Sequence, residues 1–244
     1  MRETNKIHFT EIESTNDYAL KNMEDIQDGT VIYADVQTKG KGRNSRTWVS
    51  EKGNLFMSLV LKPEYNLGKK NSLCAIVHYT AVVLTRVLET KYSVKAKIKW
   101  PNDLLVDNKK IAGILIEAVI QGSNLQGIVV GIGVNLNMEK DLLERLDQAA
   151  TSLNLLLNQK ISRDKFLDYL LEEFFSRYEK LLEKGFSLIK KEYILKNMFL
   201  GKMVKAVVFG KMYHGLAKGL DDAGQLILEC GGSKEVISAG DIIC

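Results

Sequence analysis

Two long apolar runs joined by a short polar turn constrain the fold of this chain more than any other feature. The runs are KKIAGILIEAVI (109–120) and LQGIVVGIGVNLN (125–137), both rich in β-branched residues, and QGSN separates them. Such runs predict strands, and a short connection with Gly and Asn predicts a β-hairpin. Further strands are predicted at KIHFT, VIYADVQ, NLFMSLVLKP and KAKIKWP. The sheet is therefore expected to be mixed and mostly antiparallel.

Four segments with apolar residues at helical spacing predict helices that flank this sheet, which gives an α+β fold. They cover about 16–23 behind the capping residues Ser14 and Thr15, 70–91, 163–184 behind a Ser162 cap, and 187–198. After Gly201 the chain changes to short β runs broken by glycines, typical of a small barrel of roughly 45 residues. We therefore expect a main domain at 1–199 and a small domain at 200–244, with the boundary near Leu200.

Composition excludes several classes of protein. With 45% hydrophobic and 26% charged residues and a net charge of +4, the chain is expected to be globular throughout. The N-terminus lacks the apolar core of a signal peptide, and the run IAGILIEAVI is too short to span a bilayer, so a cytoplasmic protein is expected. The cysteines and histidines are Cys74, Cys230, Cys244, His8, His78 and His214. Their spacing is not that of a disulfide framework or a metal site, so no bound metal is expected.

The stretch QTKGKGRNSRTW (37–48) concentrates four cations and two glycines without an acid. Glycines let backbone N–H groups turn inward, and Lys and Arg add attraction for phosphate or carboxylate, so the stretch predicts an anion-binding loop. It lacks the GxxxxGK[ST] pattern of a P-loop, and GIGVNL (131–136) lacks the third glycine of a dinucleotide fingerprint. Considered alone, the stretch fits a mobile solvated loop better than a binding site, since loops collect charge and glycine.

The stretch KWPNDLLVDNKKIAGI (99–114) places a lysine, Lys110, at the entrance to a strongly apolar strand. There a lysine can lose hydration and act as a directed cation. The alternative is a lysine that merely protects a strand edge from aggregation.

Four motifs occur in order along the chain: ESTND (13–17), QTKGKGRNSRTW, KWPND followed by KKIAGI, and GIGVNLN. Their order and spacing resemble the biotin protein ligases over nearly the whole chain. The resemblance implies a catalytic domain like that of class II synthetases and biotin/lipoate ligases, followed by an SH3-like C-terminal barrel. Because the first catalytic-domain strand begins by about residue 6, it implies the monofunctional form without an N-terminal DNA-binding domain.

The resemblance further implies a two-step reaction. Biotin and ATP, with Mg²⁺ carried by the nucleotide, give biotinyl-5′-AMP and pyrophosphate, and a lysine of a biotin carboxyl carrier domain then accepts the biotin. The implied catalytic residues are Lys110 and Arg43. The implied biotin-binding residues are Ser14, Thr15, Asn16, Gln37, Gly40, Lys41, Arg43, Lys110, Gly113, Gly131 and Gly133. The implied ATP- or adenylate-binding residues are Arg43, Arg46, Trp48, Asn102, Lys110 and Asn135. No tightly bound prosthetic group is implied.

Two departures from the family loop pattern, GRGRxGRxW, affect what is expected of the site. Lys41 replaces an arginine and loses its forked donors, and Ser45 replaces a common glycine. We therefore expect activity with weaker retention of the adenylate.

Two rival functions remain at this point. A lipoate protein ligase shares the adenylation chemistry, and a non-catalytic nucleic-acid-binding protein would use the basic loop and the C-terminal barrel. If the chain is a biotin protein ligase, its expected partner is a carrier protein, and binding to DNA or to a membrane is not expected. Self-association through strand edges is left open.

Overall fold

The computed structural model of the protein describes residues 4–63, 72–122, 124–208 and 210–243. The chain forms two compact units, one of Met1–Gly68 with Val106–Glu172 and one of Lys69–Leu105 with Glu173–Cys244. The strands are β1 (Lys6–Ile12), β2 (Val31–Gln37), β3 (Leu55–Leu61), β4 (Lys97–Lys99), β5 (Asp103–Val106), β6 (Lys109–Gln121), β7 (Asn124–Val134), β8 (Met203–Val208), β9 (Lys211–Leu220), β10 (Leu226–Cys230), β11 (Ser233–Ile237) and β12 (Asp241–Ile243). The helices are α1 (Thr15–Lys21), α2 (Ser72–Tyr92), α3 (Lys140–Glu144), α4 (Leu153–Leu157), α5 (Arg163–Ser176), α6 (Tyr178–Lys184) and α7 (Lys190–Lys196).

The first unit is built on a mixed sheet in which five strands follow the order β1-β2-β3-β7-β6. β1 pairs with β2 in parallel, and the other neighbours in this run are antiparallel. β6 and β7 form the predicted hairpin, with Gln121 opposite Asn124, although Ser123 lies outside the described residues. Ala19 of helix α1 and Met23, two residues after the helix ends, are buried in a cluster that also contains Val129 of β7. This burial places the N-terminus of α1 over the middle of the sheet.

The predicted helices are present, and two of them differ from the prediction. The helix expected at 163–184 is broken at Arg177, whose φ of −133° ends α5 and starts α6. The helix expected at 187–198 is shorter, because a 3₁₀ turn at Gly185–Leu188 precedes α7. α2 matches the prediction for 70–91 from residue 72 onward, and its first two predicted residues lie outside the described range.

Strand β5 and helices α3 and α4 were not predicted. The sequence signal for β5 was the pair Asp107-Asn108, since Asp and Asn favour the two-residue turns that join antiparallel strands. In the structure both residues have positive φ, as such turns require. Helices α3 and α4 are five residues each, too short for a periodic pattern to show.

The C-terminal strands form an antiparallel sheet in the order β11-β10-β9-β8-β12. The expected β composition is confirmed, but the expected closure into a barrel is wrong for residues 203–208 and 210–243. Strands β11 and β12 lie at opposite edges of the sheet, and β12, with three residues, pairs only with β8 within this range. Closure of a barrel requires the two edge strands to pair.

Within the part of the chain that the structure describes, one helix has the length and apolar composition of a membrane span. It is Leu73–Tyr92, and 67% of its apolar window is buried inside the structure. A buried core helix has the same composition, so this helix is weak evidence for a membrane.

Within the second unit, a histidine is buried in an aromatic cluster. His78 is 2% exposed, its Nε2 lies 3.0 Å from the Gly224 carbonyl oxygen, and its ring contacts Phe186 and Tyr193. Burial lowers the pKa of His78 from 6.5 to about 4, since desolvation disfavours the charged ring. The folded chain therefore holds this ring neutral over a range where the unfolded chain protonates it.

Acid is expected to weaken the fold through His78. Because the folded pKa lies below the unfolded pKa, stability is full above pH 6.5 and falls as the pH drops toward 4. Between pH 7 and pH 5 the loss from this group is about 2 kcal/mol. Urea unfolding of the unaltered chain and of His78→Gln at both pH values measures it. The variant should lose less stability on acidification, and an equal loss in both proteins would contradict the assignment.

Candidate active site

The N-terminus of α1 provides the first group of predicted site residues. Ser14 caps the helix by accepting a hydrogen bond from the Asp17 N–H at 3.3 Å. Ser14, Thr15 and Asn16 are each at most 5% exposed. The cap therefore accounts for the side chain of Ser14 and aims the next two residues at the sheet.

Thr15 and Gln37 form a hydrogen-bonded pair between α1 and the end of β2. The Thr15 N–H donates to Gln37 Oε1 at 2.8 Å, and the Thr15 hydroxyl lies 3.1 Å from the same oxygen. Gln37 Nε2 donates to Ser50 Oγ at 3.0 Å, and Ser50 Oγ donates to the Trp48 carbonyl at 2.9 Å. Ser50, which sequence reasoning missed, thus ties Gln37 to the far end of the basic loop.

The basic loop is ordered by its own backbone. Trp48 N–H donates to the Gly40 carbonyl at 2.9 Å, and Gly42 N–H donates to the Arg46 carbonyl at 2.7 Å. A Cβ at Gly40 would lie 2.4 Å from the Trp48 carbonyl oxygen, so only glycine allows this closure. Ser45 adopts φ of 59°, a left-handed conformation that favours glycine. The loop is therefore a closed turn, in contrast to the alternative of a mobile solvated segment.

Two of the loop cations are paired with acids from the ESTND motif. Lys39 Nζ lies 2.7 Å from Glu13 Oε1, and Lys41 Nζ lies 2.5 Å from Asp17 Oδ1. The hydrogen bond to Asp17 raises the pKa of Lys41. Sequence reasoning missed these ion pairs, because the loop itself contains no acid and the paired carboxylates come from a segment more than twenty residues earlier in the chain. Arg43 is half-buried and Arg46 exposed.

The indole of Trp48 lies on the backbone of the central hairpin. A Cβ at Gly133 would lie 2.5 Å from Trp48 Cε2, and one at Gly113 would lie 2.8 Å from Trp48 Cζ3. Lys110 Nζ is 5.1 Å from the centre of the indole ring, which is a cation–π distance. Trp48 Nε1 is buried with no hydrogen-bond partner among the described residues. Trp48 thus joins the basic loop to the strand that carries Lys110.

The start of β6 is held by the segment before α4. Lys110 N–H donates to the Ala149 carbonyl and Thr151 N–H donates to the Lys110 carbonyl, both at 2.9 Å. This two-sided backbone pairing fixes the main chain at Lys110 and leaves its half-buried side chain to reach the indole.

A model of the family described as "Biotin/lipoate A/B protein ligase family" matches residues 8–135, which include α1, the basic loop, Trp48 and the strand that carries Lys110. The chain belongs to this family. A second model, the biotin protein ligase C terminal domain, matches residues 199–244.

Relatives and solved structures agree with this assignment to the biotin/lipoate ligase family. The bifunctional ligase/repressor BirA of Bacillus subtilis is 35% identical over 87% of this chain, and the chain spans 65% of that relative's length. The biotin--[acetyl-CoA-carboxylase] ligase of Paracoccus denitrificans is 33% identical, with 94% of this chain and 96% of the relative covered. The biotin protein ligase of Aquifex aeolicus, solved in complex with biotin and ATP, superposes with a TM-score of 0.83 at 27% identity, covering 98% and 97% of the chains.

The remaining predicted residues of this ligase-family chain have different surroundings. Gly131 packs against Asn16, since a Cβ there would lie 2.3 Å from Asn16 Oδ1. The amide of Asn135 donates to the Thr151 carbonyl at 3.0 Å, so it holds the segment that pairs with Lys110. Asn102 lies in the second unit, between β4 and β5, and is half-buried. Among the described residues, no group of three or more His, Cys, Asp or Glu side chains is placed to hold a metal ion.

The packing of Trp48 predicts the effect of adding one methyl group to the hairpin. In Gly133→Ala the new Cβ overlaps the indole, so Trp48 is expected to move toward solvent and its emission to shift to longer wavelength. Overpacking of this kind destabilises by about 1–3 kcal/mol. Fluorescence with Trp48→Phe as a baseline isolates Trp48 from Trp100, which is 2% exposed. Gly219→Ala is the control, since nothing lies within 4 Å of its added Cβ; equal spectra for both alanine variants would contradict the packing.

Proposed function

We propose that this chain is a biotin protein ligase, which activates biotin with ATP and transfers it to a lysine of a biotin carboxyl carrier domain. The family match supports the proposal, and so does a relative named as a biotin ligase that this chain matches over nearly the full length of both proteins. The activity is AMP-forming, with biotin and ATP as substrates and Mg²⁺ arriving with the nucleotide.

One observation carries the proposal. Trp48 closes the basic loop through its N–H bond to Gly40, and its ring also lies 5.1 Å from the Lys110 ammonium. The two sequence stretches with the strongest anion-binding character therefore meet on glycine-lined strands. A reaction between a carboxylate and a phosphate requires cations gathered in this way, because the two anions repel each other.

In the first step, a carboxylate oxygen of biotin attacks the α-phosphorus of ATP. A P–O bond to biotin forms, the P–O bond to pyrophosphate breaks, and pyrophosphate leaves with the electron pair. We assign Lys110 to the attacking carboxylate and the α-phosphate, and Arg43 to the oxygens of the adenylate and pyrophosphate. Arg46 adds positive charge on the loop, and Lys41 lies on the part of the loop that closes over biotin. Fixed positive charge placed where negative charge develops lowers the barrier.

In the second step, a neutral carrier lysine amine attacks the acyl carbon of biotinyl-AMP. The C–N bond forms, the C–O bond to AMP breaks, and the amine loses a proton. The ligase needs no nucleophile of its own for this transfer. We assign Trp48 to covering the anhydride, where its indole excludes water.

The ring of biotin is assigned to the N-terminus of α1. Thr15 and Gln37 are proposed to hydrogen-bond the ureido group, with Ser14, Asn16 and Gly40 shaping that end. Gly113, Gly131 and Gly133 are proposed to line the valeryl chain, so a ligand that reaches this backbone displaces the indole of Trp48. Asn102 and Asn135 are proposed on the nucleotide side.

The proposed partner is a carrier protein, with no role for DNA or a membrane surface. Two loop cations that would serve a nucleic-acid site are already paired with Glu13 and Asp17. We place the protein in the cytoplasm, in keeping with the free thiols of Cys74 and Cys230. The C-terminal residues 200–244 are proposed as a separate small domain.

A ligand comparison tests the function. Purified protein, ATP and Mg²⁺ are incubated with either biotin or lipoate, and pyrophosphate release is measured. Release with biotin and little with lipoate is expected. Stronger turnover of lipoate would assign the chain to the lipoate branch of the family.

A further inference from the structure

Ser58 is a polar residue in a strand that is otherwise apolar and buried. β3 reads LFMSLVL, every residue of it is buried, and Ser58 is 0% exposed. A hydroxyl in such a position is unfavourable unless it is hydrogen-bonded. Its contacts therefore indicate why the strand contains it.

Ser58 connects two of the assigned biotin-binding residues. Its Oγ lies 2.5 Å from Asn16 Oδ1 and 2.8 Å from Thr15 Oγ1. Thr15 Oγ1 lies 3.1 Å from Gln37 Oε1, and Asn16 Nδ2 donates to Glu117 Oε2 at 2.8 Å. The five side chains form one polar chain from β6 to the end of β2.

Both ends of this chain have a fixed polarity. At one end, Gln37 Oε1 accepts from the Thr15 backbone N–H, so the amide oxygen must face Thr15. At the other end, the carboxylate of Glu117 can only accept, so Asn16 turns its NH₂ toward Glu117 and its oxygen toward Ser58. Two acceptors therefore face each other across two hydroxyl groups.

The arrangement is one hydrogen short. Three oxygen–oxygen contacts, of 2.5, 2.8 and 3.1 Å, link Asn16, Ser58, Thr15 and Gln37. The two hydroxyls between the amide oxygens supply only two hydrogens. Whatever way the hydroxyls rotate, one contact has no hydrogen, so the chain has an excess of acceptors.

We propose that Glu117 and Ser58 are positioning residues that set this excess, and that it makes the site select a ligand with N–H donors. A cyclic urea carries two N–H groups, and a dithiolane ring carries none. The inference rests on the proposed function and extends it to the choice between biotin and lipoate. Glu117 acts by fixing the orientation of the Asn16 amide. Ser58 acts by linking the oxygen of that amide to the hydroxyl of Thr15, which contacts Gln37.

Glu117→Gln tests the inference, because glutamine has the same size and can donate. With an NH₂ at position 117, Asn16 can reverse and donate to Ser58, and the chain then has a hydrogen for every contact. The folded protein is expected to keep or gain thermal stability while its affinity for biotin falls about tenfold or more. If the hydrogen bond between Glu117 and Asn16 only stabilised the fold, Glu117→Gln would lose thermal stability and biotin affinity together.

The measurements are calorimetric titration with biotin and with lipoate, and thermal unfolding, on the full chain. The unaltered protein should bind biotin much more tightly than lipoate. Glu117→Gln should reduce the ratio of the two affinities by at least about tenfold. Glu51→Gln, which removes an exposed carboxylate of the same unit, controls for charge and should leave the ratio unchanged. As a second variant, Ser58→Ala breaks the link between Asn16 and Thr15 and should also reduce the ratio.

The outcomes separate the inference from the function. If the unaltered chain binds biotin and Glu117→Gln binds it equally well, the inference is overturned and the ligase proposal stands. Loss of stability together with affinity in Glu117→Gln also overturns it. An unaltered chain that binds no biotin overturns both.

Discussion

Replacing Lys110 by alanine is expected to lower biotin-dependent pyrophosphate release by about a hundred- to a thousandfold. The ammonium lies against the indole of Trp48, on strands kept open by Gly113 and Gly133. We assign it to the charge that develops between the biotin carboxylate and the α-phosphate. Removing one fixed donor to such charge typically costs about 3–4 kcal/mol of the barrier.

Pyrophosphate release and carrier biotinylation, followed by the mass of the carrier domain, check this expectation. Lys109→Ala removes the same charge from the adjacent exposed position and should retain activity. Because the backbone at Lys110 is held by Ala149 and Thr151, the variant should unfold at nearly the same temperature. Full biotin transfer by a folded Lys110→Ala protein would refute the catalytic assignment.

Replacing Arg43 by glutamine is expected to make the protein release its activated intermediate about ten- to a hundredfold faster. The arginine is half-buried on a loop closed by the Gly40 and Trp48 bond, and it is assigned to the adenylate oxygens. A forked, charge-assisted contact contributes about 1.5–3 kcal/mol, and glutamine keeps neither the charge nor the fork. Lys41 stands where the family loop has an arginine, so it offers these oxygens no forked contact.

Rapid gel filtration after incubation with labelled biotin and ATP measures retention of the intermediate. In Arg43→Gln most label is expected to elute free, whereas Lys52→Gln, an exposed cation beyond the loop, should match the unaltered protein. Equal retention by Arg43→Gln would remove Arg43 from the adenylate site.

Thr15, Gln37, Trp48 and Lys110 were predicted as site residues because each lies in a short motif with recognisable order and spacing. Their neighbours Ser50, Ser58 and Glu117 were not, since a serine in a buried strand and a glutamate in an apolar run match no motif. Their part in the site depends on which strands are adjacent. Ser58 faces Gly131 across the β3–β7 pairing, and this register brings it under α1.

The order of polar and apolar residues was enough to predict the longer strands and helices, the hairpin of β6 and β7, and a cationic loop, because these follow from periodicity and turn chemistry between near neighbours. The sequence pattern did not reveal the break at Arg177, the open C-terminal sheet, or the pairing of Lys39 and Lys41 with Glu13 and Asp17. Those features join residues far apart in the chain or depend on how elements pack. Only tertiary structure could place an indole against Lys110 and two amide oxygens against two hydroxyls, because hydrogen bonds and ring contacts are decided by distances of a few ångströms.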